Sequence, residues 1–445
     1  MFQILRNAWK ITDLRKKILF TVLILLIFRI GSAITVPFVD VAALKEAVAA
    51  NSNDFMGYLT MMSGGGFSNA SIFALSITPY INASIILQLL TVAIPYLENL
   101  SKEGEAGRRK LGQFTRYGTV ILGLMLGIAY YFMVRNQYHA LSSAADGKDF
   151  AAWFAAIVII LCFTAGSSLM MWLGEQINEK GIGNGISMLL FAGILSRLPV
   201  GGNYLWNIFY VQGIDQVIQG QGNAIWNCVI AVLIVVLFLA MIGFIVFMTD
   251  AERRIPVQYA KKVVGRKMYG GQSTHMPIKV NMSGVMPIIL AVSILSLPSI
   301  LVTFFGEPKS LFWKGVVGAF AQDSWIYIIL YALMIIGFAF FYVTISYNPT
   351  EMANNLRKNG GAIPGQRPGK PTAEFIKRVL NKVTFIGALF LGVVALFPSV
   401  FGLITKQYGL TIGGTSVMIV VGVALETVQQ IESQMMMRHY KGFLD

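Results

Sequence analysis

Ten apolar runs divide this chain, at about 18–37, 72–97, 113–134, 151–173, 182–199, 224–248, 280–305, 325–347, 383–404 and 412–431. Each is close to the roughly 20 residues that a helix needs to cross a hydrocarbon core of about 30 Å. A chain inside lipid must bond its own backbone polar groups, so only helices and closed barrels can span. The runs are too long and too continuous for barrel strands of about 10 alternating residues. With 13% charged residues, the chain carries about half the charge of a soluble domain. The expected fold is an all-α polytopic membrane protein with ten transmembrane helices. Ahead of the first run, residues 1–17 read MFQILRNAWKITDLRKK. There Phe2, Ile4, Leu5, Trp9 and Leu14 alternate with basic residues, which suits a cytoplasmic amphipathic segment lying in the interface. The first run is too long for a cleavable signal and no small-residue cleavage site follows it. Cys162 and Cys228 both fall inside apolar runs and read as small core residues without a disulfide framework.

The net charge of +14 raises nucleic acid as a partner, but the placement of the charge explains it first as topology. With ten spans, alternate loops share a side. The N-terminal segment, the C-terminal tail (432–445) and the loops after runs two, four, six and eight hold about 27 of the 35 Lys+Arg. The opposite loops hold about 7, and Arg29 lies within run one. Lysine and arginine accumulate in cytoplasmic loops, so both termini are expected in the cytoplasm. Two loops on that side, 249–279 and 348–382, exceed what a turn between neighbouring helices needs. Their length and surplus charge suggest a docking surface. The second holds GGAIPGQRPGKP, whose glycines and prolines shape a tip rather than a helix. Ten spans divide into halves at 18–199 and 224–431, joined by an outer hinge loop at 200–223. An odd number of spans per half would invert one half relative to the other, as in many transport folds. No residue-level match between the halves supports this symmetry.

The runs hold few groups for chemistry. Ion-coupled transporters bury ionisable residues near mid-membrane. Here Arg29 and Glu426 are the exceptions, and both read as structural anchors. His139, His275 and His439 lie far apart in loops or tail, without metal-ligand spacing. No G-x-x-x-x-G-K-[ST] loop holds a nucleotide, and GIGNG at 181–185 reads as a tight entry into the fifth span. No enzymatic centre, cofactor or metal is expected. A conduit without coupling charges or a nucleotide site takes its energy from a partner. A secondary transporter of a small solute is the alternative reading.

Residues 61–71, MMSGGGFSNAS, precede run two, where Pro79 falls early. Proline breaks a helix ladder, so Phe55–Phe67 is expected to form a separate short helix with glycines 64–66 allowing a reversal. Irregular backbone at membrane depth needs protein or a cavity around it. A re-entrant element filling a pore from the outer side is one reading, an ordinary surface loop the other.

SGGGFSNASIFALSITPYINASIILQLLTV resembles the plug and second span of the SecY family of bacterial protein-conducting channels. The segments IFRIGSAITVP, EGEAGRRKLGQFTRYGT, MWLGEQINEKGIGNGIS, ERRIPVQYAKKVVGR, QSTHMPIKVNMSGVMP, YNPTEMANNLRKNGGAIPGQRPG and GGTSVMIVV are similar to its signatures and follow in its order. The resemblance implies two inverted five-helix halves around an hourglass pore. Its waist would be a ring of Ile77, Ile81, Leu190, Ile289 and Ile419, with Leu190 departing from the commoner isoleucine. An apolar constriction dewets and so resists ions, while aliphatic side chains still close around a passing polypeptide. The plug would occupy about 54–71, with Gly64, Gly65, Gly66, Ser68 and Asn69, weakly held so that it can leave. A lateral gate would carry Thr78, Asn82, Gln88, Asn281 and Ser283, bonding across a closed seam or within their own helices. Arg253, Arg254, Arg266, Lys267, Arg357, Lys358 and the loop-tip Arg367 would dock the ribosome, through its RNA, or the SecA motor ATPase. The resemblance further implies the small membrane subunits SecE and SecG and substrates bearing a signal sequence. It implies lateral release of spans into the lipid of the bacterial cytoplasmic membrane.

Overall fold

The computed structural model describes residues 2–50, 63–142, 150–206, 209–210, 224–259, 262–264, 267–269, 273–295, 298, 315, 318–320, 324–405 and 414–441. Helices α1 (Phe2–Lys10), α2 (Thr12–Gly31) and α3 (Val41–Ala50) open the chain. Turns over 63–77 lead to α4 (Thr78–Ala93), α5 (Pro95–Lys102) and α6 (Glu105–Phe132), which ends in a π turn, Met133–Gln137. Then come α7 (Phe150–Lys180), α8 (Gly185–Leu195), α9 (Leu198–Trp206) and α10 (Ala224–Asp250). Four strands follow, β1 (Glu252–Tyr259), β2 (Lys262–Val264), β3 (Lys267–Tyr269) and β4 (Ser273–Lys279), and then α11 (Met286–Leu295) and α12 (Trp325–Ser346). The chain closes with α13 (Pro349–Lys358), β5 (Gly361–Ala362), α14 (Lys370–Thr405) and α15 (Gly414–Lys441).

Every expected apolar run contains a helix. Among the described residues, five helices are long and apolar enough to cross a membrane, six if α4 and α5 count as one bent span. The chain is therefore a multi-pass membrane protein. Large apolar side chains on the outside, such as Leu23 and Leu26 of α2, Phe154 and Ile157 of α7, and Val236 and Leu239 of α10, are exposed, as a lipid-facing surface requires.

Three expectations change. Run two does not form one helix across 72–97. Pro79 stands in the first turn of α4, where its missing N–H costs nothing, so it starts the helix rather than interrupting one. The helix ends at Ile94, which is extended before Pro95, as the residue before a proline tends to be. The chain turns by 102° into α5 there. In the fifth run α8 has 11 residues and a turn at Ser196 and Arg197 separates it from α9; in the seventh, α11 has 10 residues and is followed by positions that lie largely outside the described residues. At 1.5 Å per residue, each helix by itself covers about half of a bilayer. The two long basic loops, finally, are folded. β1 pairs antiparallel with β4 from the first loop and with β5 from the second, in the order β4-β1-β5. Beneath this sheet Ile255, Ile278, Ala353, Ile363, Ile376, Leu380 and Val383 form a small core.

Candidate functional site

The apolar centre is assembled from four helices. Ile77 caps α4 and Ile81 lies one turn on. Leu190 comes from α8, Ile289 from α11 and Ile419 from α15. All five belong to one buried cluster, with exposures between 1% and 7%. Leu173, Ile177, Leu189, Leu290 and Val423 belong to it as well, as do Phe28 and Phe73. Close approach depends on glycine: a Cβ at Gly185 would collide with the Gly174 carbonyl of α7. The entry to α8 follows the expectation for GIGNG. Gly183 takes φ +90°, and the Asn184 side chain accepts from the Ile186 N–H at 3.1 Å.

Residues 63–77 lie against this cluster. Gly64 and Gly65 have φ of +63° and +90°, values that suit glycine. The Gly64 carbonyl accepts from Arg29 Nη1 at 3.1 Å and from Ser196 Oγ at 3.4 Å. Arg29 is thus an anchor, as expected, and its partner is the glycine stretch itself. Ser63 Oγ accepts from the Phe67 N–H at 2.9 Å, and Ser68 Oγ donates to Gly65 O at 3.1 Å. The Phe67 carbonyl accepts from Tyr130 Oη at 2.7 Å. The Phe67 ring, 2% exposed, meets Tyr130 edge-on with centroids 4.8 Å apart. The backbone adds Val36 N–H to Ala70 O at 2.8 Å and Ile72 N–H to Ile34 O at 3.0 Å. Asn69 is half-buried in the same turns. Of the expected plug, about 54–71, residues 63–71 are described and make these bonds, and Gly64 and Gly65 serve left-handed turns and close contact. The expected helix Phe55–Phe67 has turns at 63–67, and 54–62 lie outside the described residues.

Of the residues expected at a lateral gate, Gln88 makes a bond between distant elements, its Oε1 accepting from Tyr342 Oη of α12 at 3.1 Å. Thr78 Oγ1 and Asn281 Oδ1 are buried without a partner among the described residues. Asn82 and Ser283 are half-buried. Tyr342 was missed in the sequence because a tyrosine in an apolar run reads as an interfacial aromatic.

On the folded loops, Arg253 and Arg254 stand opposite Ile278 and Pro277 of β4 and are exposed. Arg254 Nε pairs with Glu252 Oε1 at 2.6 Å. Arg357 and Lys358 end α13. Arg367 is exposed at the tip, its carbonyl accepting from Thr372 Oγ1 at 2.8 Å. Lys267 lies on β3, and Arg266 lies outside the described residues.

The comparisons agree with this architecture. The family model described as SecY matches residues 71–428. The protein translocase subunit SecY of Streptomyces coelicolor is 43% identical, covering 98% of each chain. That of Halalkalibacterium halodurans is 44% identical, covering 100% of each. A solved structure titled as that of a protein conducting channel superposes with a TM-score of 0.64 at 20% identity, covering 94% of this chain and 92% of that one. Sec61 in the canine ribosome–channel complex of the endoplasmic reticulum reaches 0.61 at 18% identity, over 94% and 92%. With its full length matched at this identity and its fold shared with these channels, the chain belongs to the SecY family.

Proposed function

We propose that the chain is the pore-forming subunit of a passive protein-conducting channel, moving unfolded secretory polypeptides across a membrane and releasing spans sideways into it. The observation that carries this reading is the meeting of five aliphatic side chains, drawn from four helices of both sequence halves, in one buried cluster. Such a collar excludes ions while closed and has no chemistry that would select one polypeptide over another. The relatives' name and the neighbours' description support the same reading.

In this reading the ten runs are ten spans in two inverted halves, set in the bacterial cytoplasmic membrane with both termini inside. Ile77, Ile81, Leu190, Ile289 and Ile419 form the pore ring. The stretch around Gly64–Asn69 is the base of the plug, and the seam between α4 and the α11–α12 pair is the lateral gate. The folded loops dock the SecA motor or a ribosome, and SecE and SecG complete the complex.

The test is reconstitution. Purified chain with SecE, SecG, SecA and ATP should move an unfolded preprotein into proteoliposomes, where it becomes resistant to added protease. Small-solute uptake without those partners, with the preprotein left protease-sensitive, would overturn the proposal.

A further inference from the structure

Two arginines flank the glycine turn. Arg29 stands in α2, two residues before that helix ends at Gly31, and Arg197 stands in the break between α8 and α9. Both fall inside apolar runs, where an ionisable side chain is costly and has a specific partner or task. Arg29 Nη1 donates to the Gly64 carbonyl at 3.1 Å. The Arg197 guanidinium lies along the next residue. A Cβ on Gly65 would stand 3.8 Å from Arg197 Nε and 3.9 Å from its Cζ and Nη2. The two side chains therefore share one dipeptide, Gly64–Gly65, and the charge of Arg29 acts on Arg197.

Their charge is not balanced within the described residues. None of the ion pairs there includes either arginine. Asp40, the first carboxylate after Arg29 in the sequence, is taken by the start of α3, where its Oδ1 accepts from the Ala42 and Ala43 N–H groups at 2.9 and 3.3 Å. A guanidinium carries five N–H donors in a planar fork and keeps its proton in proteins. Arg29 is exposed and commits Nη1 to Gly64. Arg197 is half-buried, and its Nε is buried without a partner among the described residues. Like charges held side by side away from bulk water repel strongly. Since neither group sheds its proton, an anion relieves the repulsion. Two forks also set the shape of that anion. A halide is a single point charge, and a carboxylate presents one bidentate edge, whereas a tetrahedral oxyanion has oxygens enough to face both forks at once.

We propose that Arg29 and Arg197 together hold an oxyanion of the phosphate type at the glycine turn. The bound group ties α2 to the α8–α9 break across Gly64–Gly65 and steadies that turn. The same chemistry is offered by free phosphate and by the phosphate of a lipid headgroup. The site stands on these side chains alone and does not rest on the channel reading.

The test uses the native complex, stripped of lipid in a maltoside detergent, which carries no phosphate. Native mass spectrometry follows adducts with inorganic phosphate in one arm and with phosphatidylglycerol in the other. The adduct that Arg197→Gln loses identifies the source, and either one sustains the site. Arg197→Gln should weaken that binding by about ten-fold or more, as the loss of a charge-assisted hydrogen bond requires. Arg197→Lys keeps the charge without the fork and should fall between the two, which separates binding from a folding defect. Ser68 is half-buried and its Oγ donates to Gly65 O at 3.1 Å, so maleimide labelling of Ser68→Cys reports on the turn. The bound form should slow this labelling several-fold, and Arg197→Gln should abolish the slowing. Adducts in both arms that are indifferent to Arg197→Gln, or labelling slowed equally by chloride at the same ionic strength, would overturn the proposal.

Discussion

Replacing Gly64 by alanine tests whether the glycine stretch is a built seat. At φ +63° an alanine pays roughly 1–2 kcal/mol for the left-handed backbone. Its Cβ would lie 2.7 Å from Ser196 Oγ and 3.1 Å from Gly193 O. The hydroxyl can rotate away, but the Gly193 carbonyl belongs to α8 and cannot. Relief must come from residues 63–66 lifting, which weakens the bond from Arg29 to the Gly64 carbonyl. A hydrogen bond to a charged group contributes about 1.5–3 kcal/mol. Strain and partial loss of this bond together come to about 2–4 kcal/mol. At 1.4 kcal/mol per factor of ten, the unseated state becomes roughly 30- to 700-fold more populated. The assay is resting ion conductance of the reconstituted complex in planar bilayers, without substrate. Gly112→Ala is the control, since Gly112 lies in α6 and a Cβ there meets nothing within 4 Å. Conductance of Gly64→Ala equal to that of native chain and control would refute the seat.

Tyr130→Phe, which removes the donor to the Phe67 carbonyl, should cost about 0.5–1.5 kcal/mol and leak less than Phe67→Ala, whose lost packing costs about 3–5 kcal/mol; conductance ranks the two. A double-mutant cycle of Gln88→Ala and Tyr342→Phe, read by a fluorescent pair on α4 and α12, should return a coupling of about 1 kcal/mol, and additivity would remove the pair from the seam. Arg253→Ala with Arg367→Ala should weaken ribosome binding and reduce the slope of log affinity against log salt by about one per lost phosphate contact, measured by cosedimentation across a salt series.

Much of the helix content was legible in the sequence because apolar length is a strong signal. The limits of that signal show at α8, where the apolar run continues past the helix through the turn at Ser196 and Arg197 into α9. Apolar residues in a turn and in a helix look alike when both are buried in protein. The bend at Ile94 was readable, since VAIPYLEN places a proline inside the run, whereas Pro79, expected to break the ladder, starts α4. The joining of the two basic loops was not readable. β5 is two residues long and pairs with β1 across about a hundred positions, so no local pattern announces it. Of the site, GIGNG and Arg29 were recognisable as a tight turn and an anchor. The five collar residues were not distinguishable from other buried aliphatics by periodicity. They were singled out through the family's motif register, and their common cluster depends on four helices meeting.

The stretch that bears the glycines also links two apolar clusters, one of them shared by both sequence halves. Phe67, Ala70, Ala74 and Leu75 pack with Tyr130, Ile159 and Phe163, while Phe73 and Ile77 belong to the collar cluster, and Ile72 touches both. Phe73 stacks on Phe28 at 6.1 Å, and a Cβ at Gly31 would collide with its ring. Between them run short turns held by Ser71 N–H to Gly66 O at 2.9 Å, Ala74 N–H to Ser71 O at 2.9 Å and Ser76 N–H to Phe73 O at 2.9 Å. A segment so pinned cannot release Phe67 while leaving Ile77 in register, because no slack separates them. Close-packed interiors shift between discrete arrangements rather than stretch. A chain that widens the collar at Ile77 therefore strains the seat of Phe67, and unseating Phe67 loosens the collar. In the proposed channel the two would therefore act as one cooperative seal: Phe67→Ala should raise resting conductance through the Ile77 ring as well, and a conductance unchanged by Phe67→Ala would refute the coupling.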